Sequence, residues 1–261
     1  KVLKTLSAHM RIVPLLALVS VMLMSAELKP TVADDAPRIL IIGATSKSAK
    51  ELIPQALGRG FHVPGLARRP EAVAFKHVRF RVVKGDVYEQ DTLAAAMSGN
   101  EVVISMVGPR DDPYAASKPT DLLSTGTTNI IEAMKSKGNT RLLVASSIGV
   151  ENVFPETKPD NTEGRAGWLW KRRHRYLDMH KMEPIVRDSG VDYVIFRPGF
   201  LVEEPKRNDL LLAVNEPSPK ERMITYADFA HFVLDQVESD QHLGDAVGMY
   251  SARVLDWGGN V

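Results

Sequence analysis

The chain has 261 residues, 44% of them hydrophobic and 25% charged, with a formal net charge of +1. That is enough apolar material for a full core, and basic residues spread along the chain give no basis for nucleic-acid binding. The absence of cysteine excludes disulfides, thiol nucleophiles and cysteine-based zinc sites, and no metal site is expected.

In chain order, the first segment stands apart. Lys1, Lys4 and Arg11 precede an apolar run over residues 12–26, and a polar stretch over 27–36 follows. The run is short for a membrane span, and Thr31-Val32-Ala33 offers small residues where a signal peptidase cuts. Residues 1–33 are therefore expected to be a signal peptide, with a mature start near Asp34, a short linker over 34–37, and export to a periplasm or beyond the cell. The alternatives are an uncleaved anchor, the one case in which a membrane partner is expected, or a cytoplasmic chain.

Residues 39–42 read as a buried parallel strand, which shows as a continuous aliphatic run rather than an alternating one. Gly43 permits a sharp turn, and the N–H groups opening the next helix point at an anion, naturally a dinucleotide pyrophosphate. The spacing G-x-x-G-x-x-G would place glycines where Ser46 and Ala49 stand. Ala suits the third position, whereas Ser46 brings a Cβ to a point of close phosphate approach, and its hydroxyl is expected to donate to a phosphate oxygen instead. Taken alone, the loop fits a cofactor site or an ordinary strand-to-helix turn.

Residues 50–59 have helical spacing, which Pro54 is expected to bend or shorten. Residues 61–67 form a second strand ending at Arg68-Arg69-Pro70. In a doubly wound sheet that tip meets the adenosine ribose, where an acid suits NAD and a base suits the 2′-phosphate of NADP. Arg68, with Arg69 as second candidate, points to NADP(H) over NAD(H); the alternative is a solvated pair in a loop. A third strand over 78–83 leads to Gly85-Asp86-Val87, a short helix spans 91–97, and a fourth strand over 102–107 ends at Gly108-Pro109. The polar loop over 110–119 is placed to act as a lid. A helix over 121–137 and a fifth strand over 141–145 deliver Ser146 and Ser147 to the same edge. A sixth strand spans 191–196, residues 203–222 read as loop around the apolar 210–214, a helix runs over 225–238, and a last strand spans 246–250. Such alternation predicts an α/β fold with a Rossmann-type doubly wound parallel sheet, as a single domain over 38–252 with a tail over 253–261.

The ordered series Gly43-Ala44-Thr45, Gly85-Asp86-Val87, residues 102–105, residues 126–133, Ser146-Ser147-Ile148-Gly149 and Arg197-Pro198-Gly199 resembles the atypical short-chain dehydrogenase/reductase superfamily. More narrowly, it resembles the single-domain NAD(P)H-binding branch that includes the biliverdin-IXβ and flavin reductases and the nitrogen-regulator-like sensors. The resemblance implies pyrophosphate at Gly43, Thr45, Ser46 and Lys47, the adenosine phosphate at Arg68, and adenine beside Asp86 and Val87. It also implies cofactor riboses near Val107 and Gly108, and the nicotinamide amide near Pro198 and Gly199.

Many members of the superfamily pair a Tyr with a Lys four residues on; here Tyr176 is followed at that spacing by His180, with Lys181 one further. Helical geometry puts His180 rather than Lys181 on the face of Tyr176, where it would relay a proton or be merely structural or solvated. Branch members without the pair hold donor and acceptor in line and take the proton from solvent or a serine. Ser146 and Ser147 are the polar candidates, one facing the site and the other pinning backbone, unless both only satisfy the turn. Trp168 and Trp170, followed by the basic run 171–175, form a wall for a planar anion, a solvated helix face, or a membrane-surface patch. The sequence reads as an NADP(H)-dependent reductase of a carbonyl, flavin or quinone-like small molecule, active as a monomer or small homo-oligomer. The alternative is a non-catalytic NAD(P)(H)-binding sensor of the same fold.

Overall fold

The computed structural model describes residues 36–73, 75–97, 102–109, 118–152, 154, 157–160, 164–219 and 221–254. The expected signal peptide, most of the lid loop and most of the tail lie outside them. The described residues belong to one unit, Ala36–Val261.

All four residues of β1 (Ile39–Ile42) are fully buried, and the period of two divides them between the faces of the sheet. Ile39 and Ile41 pack with α1 (Lys47–Gly58) and α5 (Tyr226–Asp235). Leu40 and Ile42 pack with α2 (Gln90–Met97), α3 (Leu122–Lys137) and α4 (Gly164–Arg187). A strand apolar at every position is thus what a sheet covered on both sides requires.

The other strands are β2 (Val63–Ala67), β3 (Phe80–Lys84), β4 (Val102–Ser105), β5 (Arg141–Ala145), β6 (Asp192–Pro198), β7 (Phe200–Val202), β8 (Leu211–Val214), β9 (Met223–Thr225) and β10 (Ala246–Tyr250). Eight of them form one sheet in the order β3-β2-β1-β4-β5-β6-β10-β8, and β7 pairs with β9 in a separate parallel ribbon. The fold is a Rossmann-type α/β sheet, and its strand order reverses between β1 and β4. Ligands of open α/β sheets enter at the carboxyl ends of the strands at that point.

Several elements depart from the sequence-based expectation. The third strand starts at Phe80, because His77 and Phe80 close a tight turn (Phe80 N to His77 O, 3.1 Å) that leaves Val78 89% exposed. The fourth strand stops at Ser105, since Met106 and Val107 bend around Gly43. Helix α1 runs through Pro54 as one element. Residues 211–214, read as part of a loop, form β8, which joins β10 antiparallel and so ends the parallel run of the sheet. The basic run and both tryptophans belong to the 24-residue α4.

Candidate functional site

At the β1–β4 switch point, Gly43 has φ +88°, and a Cβ there would stand 2.7 Å from the carbonyl oxygen of Met106. Glycine is therefore required by the turn and by the approach of β4, before any ligand is considered. Ser46 is the N-cap of α1, its Oγ accepting from the Ala49 N–H at 3.1 Å. That hydroxyl oxygen serves the helix, which is the physical reason a serine stands where a glycine was expected. The first turn of α1 holds no acid but has Lys47 and Lys50, so the positive helix end is reinforced. Thr45 is exposed beside it. The Lys47 ammonium lies 2.7 Å from Glu203 Oε1 across a groove also lined by Lys50, Lys206 and Tyr226, and it holds the exposed Glu203 carboxyl below its usual range.

Arg68 and Arg69 leave the tip of β2 exposed to solvent on the same edge. Beyond β3, the Asp86 carboxylate accepts from the Tyr88 N–H (3.2 Å), while the Val87 side chain is buried against Gly126 and its carbonyl accepts from Asn129 (2.9 Å). The Val87 side chain is thus turned into the core, away from the edge. Tyr88 donates to Asp121 at 2.9 Å; partial burial, then this bond and charge, push its phenol to about 12. Val107 is half-buried and Gly108 opens to solvent, with nothing near its Cβ position.

The far end of the edge is held by side chains. Ser146 is buried and donates to Glu183 Oε1 at 2.8 Å. Arg197 of β6 grips the same carboxylate with two bonds, Nε to Oε1 (2.9 Å) and Nη2 to Oε2 (2.6 Å), and its other nitrogen pairs with Glu151. Arg187 adds a contact to Oε2 at 3.2 Å. Burial pushes the Glu183 carboxyl up, but the bonds and charge of Arg197, with Ser146 and Arg187, outweigh it and hold the group ionised below its usual range. Ser147 instead caps a short 3-10 turn, accepting from Gly149 N–H at 3.1 Å. The division of labour between the serines follows from strand alternation: Ser146 faces α4 and Ser147 does not. Next to them, Pro198 and Gly199 are buried where a Cβ on Gly199 would strike the carbonyl of Arg222.

The expected Tyr176–His180 face does not form. Tyr176 lies in the buried stripe of α4, stacked on Phe154 (centroids 5.5 Å) and pressed on Gly149, whereas His180 and Lys181 are exposed. The boundary between core and solvent passes between positions 176 and 180, so helical spacing alone misplaced His180. Trp168 packs edge-on to Phe200 (5.0 Å) and beside Tyr176 (5.8 Å), closing the β5–β6 end with an aromatic wall. Arg172 lies over Trp168 (4.7 Å) and Arg173 over Trp170 (3.6 Å), so the basic run partly serves its own tryptophans. Burial, then the charge of Arg173, keeps His174 below its ordinary value.

Sequence reasoning missed Glu183. Its signal was an acid within the apolar spacing of Tyr176, Met179 and Val186, a position that only a buried partner explains. Asp228, in the first turn of α5, fastens the segment after β7. It accepts from Thr225 Oγ1 (2.6 Å) and from the backbone N–H groups of Arg207 (2.9 Å) and Asn208 (3.0 Å). Among the described residues there is no cluster of three or more acids and histidines fit for a metal, and no helix long and apolar enough to cross a membrane.

Residues 43–240 match the model of a family described as NAD(P)H-binding. The chain is 25% identical over 186 residues to cinnamoyl-CoA reductase 1 of Petunia hybrida, covering 64% of this chain and 55% of that one. It spans 63% and 55% of the first two curated relatives it matches. Among solved structures, a short-chain dehydrogenase/reductase of Veillonella parvula in complex with NADP superposes with a TM-score of 0.66 at 17% identity, over 85% of this chain and 97% of that one. The anaerobilin reductase ChuY of Escherichia coli O157:H7 gives 0.65 at 19% identity, over 84% and 99%. At these identities the superpositions speak for the fold.

Proposed function

Because the chain belongs to the NAD(P)H-binding family, within the atypical short-chain dehydrogenase/reductase superfamily that its sequence resembles, we propose that it is an NADP(H)-dependent oxidoreductase reducing a carbonyl, flavin or quinone-like small molecule. One observation carries this reading: the features needed for the two ends of a dinucleotide lie along a single sheet edge. The acid-free opening of α1 and the exposed Arg68 and Arg69 stand at one end, and Ser147, Gly199 and the Trp168–Phe200 wall at the other.

The residues fit such a cofactor. The N–H groups opening α1 with the Lys47 side chain would receive the pyrophosphate, Arg68 the adenosine phosphate, and Pro198–Gly199 the nicotinamide amide. When bound, the cofactor supplies a hydride. The chain contributes alignment: Glu183 holds Ser146 and Arg197, and so fixes the ends of β5 and β6 relative to each other. Ser147 accepts from Gly149 N–H and keeps its own proton for an acceptor seated against the aromatic wall. Tyr176, stacked on Phe154 in the buried stripe of α4, is given no proton-transfer role in this reading. Names of relatives support the class: one is a cinnamoyl-CoA reductase and one fold neighbour an anaerobilin reductase.

The commitment of Ser146 to Glu183 and of Tyr176 to the core favours a second reading, a dinucleotide sensor without turnover. A panel of flavins, quinones, tetrapyrroles and small carbonyls separates the two. NADPH oxidation with at least one member is expected, with Ser147→Ala lowering it more than Tyr176→Phe, provided both variants fold. Tight NADPH binding with no turnover across the panel would move the assignment to the sensor. We also propose export on the strength of residues 1–33. Mass spectrometry of protein from the native host is expected to find a terminus near Asp34, and an intact terminus in the cytosolic fraction would reject it.

A further inference from the structure

The sheet ends in β8, and its outer side pairs with no other described strand. The phase of its hydrogen bonds follows from two contacts. Asn215 N donates to Ala246 O (2.9 Å), so Asn215 faces β10; in the same register, Ala213 opposes Gly248 and Leu211 opposes Tyr250. Met249, opposite Leu212, points its carbonyl the other way, to Gly199 N (2.8 Å). The N–H and C=O groups of Leu210, Leu212 and Val214 therefore point away from the sheet, ready for another strand.

Exposed edges are ordinarily guarded by a charge or a proline within the strand. The strand Leu211–Val214 has neither, and Leu211 and Leu212 are 48% and 38% exposed. Guards stand only outside it: left-handed Asn208 (φ 59°) and Asn215 (φ 55°) end the strand, with Pro205 and Pro217 beyond. These bounds fit a short partner, and the charges select it. Exposed Lys206 precedes the strand and Glu216 follows it, so an antiparallel copy of the same segment sets each Lys206 beside the other's Glu216, whereas Arg207 is already held by Glu204 and Asp209 of its own chain.

We propose that β8 joins two copies of this chain edge to edge about a two-fold axis through Leu212. Outward-facing residues must pair with outward-facing ones, which sets Leu212 opposite Leu212, Leu210 opposite Val214, and Leu211 opposite Ala213. Every facing pair is apolar, and the two exposed leucines each gain a neighbour. The pairing lies on the segment that also carries Glu203 and the Asp228-held backbone of Arg207 and Asn208, so each copy braces the other's approach to the groove at Lys47. It is independent of any bound cofactor.

The test is sedimentation velocity of the full chain over a concentration series, with hydrogen exchange read at single amides. A reversible dimer is expected. In it the amides of Leu210, Leu212 and Val214 exchange slowly and become fast on dilution to monomer, whereas those of Leu211 and Ala213 stay slow in both. Leu212→Lys sets two like charges on the axis and gives a monomer with an unchanged circular-dichroism spectrum. Should that variant misfold, Glu216→Lys weakens the dimer at least tenfold, and adding Lys206→Glu restores it. A parent that stays monomeric at all concentrations overturns the proposal. So does a dimer that survives Glu216→Lys with full affinity, or one whose three outward amides exchange as fast as in the monomer.

Discussion

At the β1–β4 end of the sheet edge, the approach to a ligand is made of backbone: Gly43 turns, Ser46 caps, and α1 presents its N–H groups with lysines on an open surface. At the β5–β6 end it is made of side chains: a buried carboxylate on α4 is bonded to Ser146 on one strand and Arg197 on the next. Apart from Gly43, which the turn and β4 require, the first kind of construction tolerates substitution, because each piece is local and at least partly solvated. The second couples several elements through one group, and removing that group leaves charge and donors stranded in the core.

The largest expected effect comes from breaking the buried end. Glu183→Ala leaves the Arg197 guanidinium with Glu151 alone and the Ser146 hydroxyl unpaired, and it is expected to cost about 3 to 5 kcal/mol in urea unfolding. A loss near that of a surface substitution would show that the network is dispensable. Acid sharpens the same contrast. Glu183 and Asp228 both sit below their usual range, each against the upward push of burial: Arg197, Ser146 and Arg187 hold the first, and Thr225 with the N–H groups of Arg207 and Asn208 the second. A depressed native value contributes stability that is fully present above the unfolded value, about 4 for these groups, and is lost as pH falls through the native one. Stability is therefore expected to drop steeply below about pH 4. Glu183→Gln is expected to be less stable at neutral pH and to show a shallower acid limb.

The open end predicts effects on binding rather than on folding. Arg68→Ala is expected to lower NADPH affinity by about 1.5 to 3 kcal/mol, at least tenfold, with NADH affinity and unfolding unchanged. Equal affinity of the parent protein for the two cofactors would remove the role given to Arg68. The smallest effect belongs to the cap: Ser46→Ala is expected to cost about 1 kcal/mol of stability, through the orphaned Ala49 N–H. No measurable loss in thermal or urea unfolding would mean that the cap is redundant with the packing of α1.

What the sequence by itself determined is what depends on neighbours along the chain. The aliphatic run of β1, the turn at Gly43, the basic tip at Arg68 and the strand–helix rhythm are local signals, and together they prescribe a doubly wound sheet and its ligand edge. The roles at the far end were not local. Ser146 and Glu183 are 37 residues apart, and Asp228 meets Arg207 and Asn208 across 21 and 20. Only the packing of α4 on the sheet decided that Ser146 is held by a carboxylate, and that Tyr176 is core while His180 is surface. Only the sheet order decided that residues 211–214 end it as an antiparallel strand. The reason is physical: spacing along one element specifies which residues share a face, but whether that face meets solvent, a strand or a buried charge is set by what the rest of the chain brings against it.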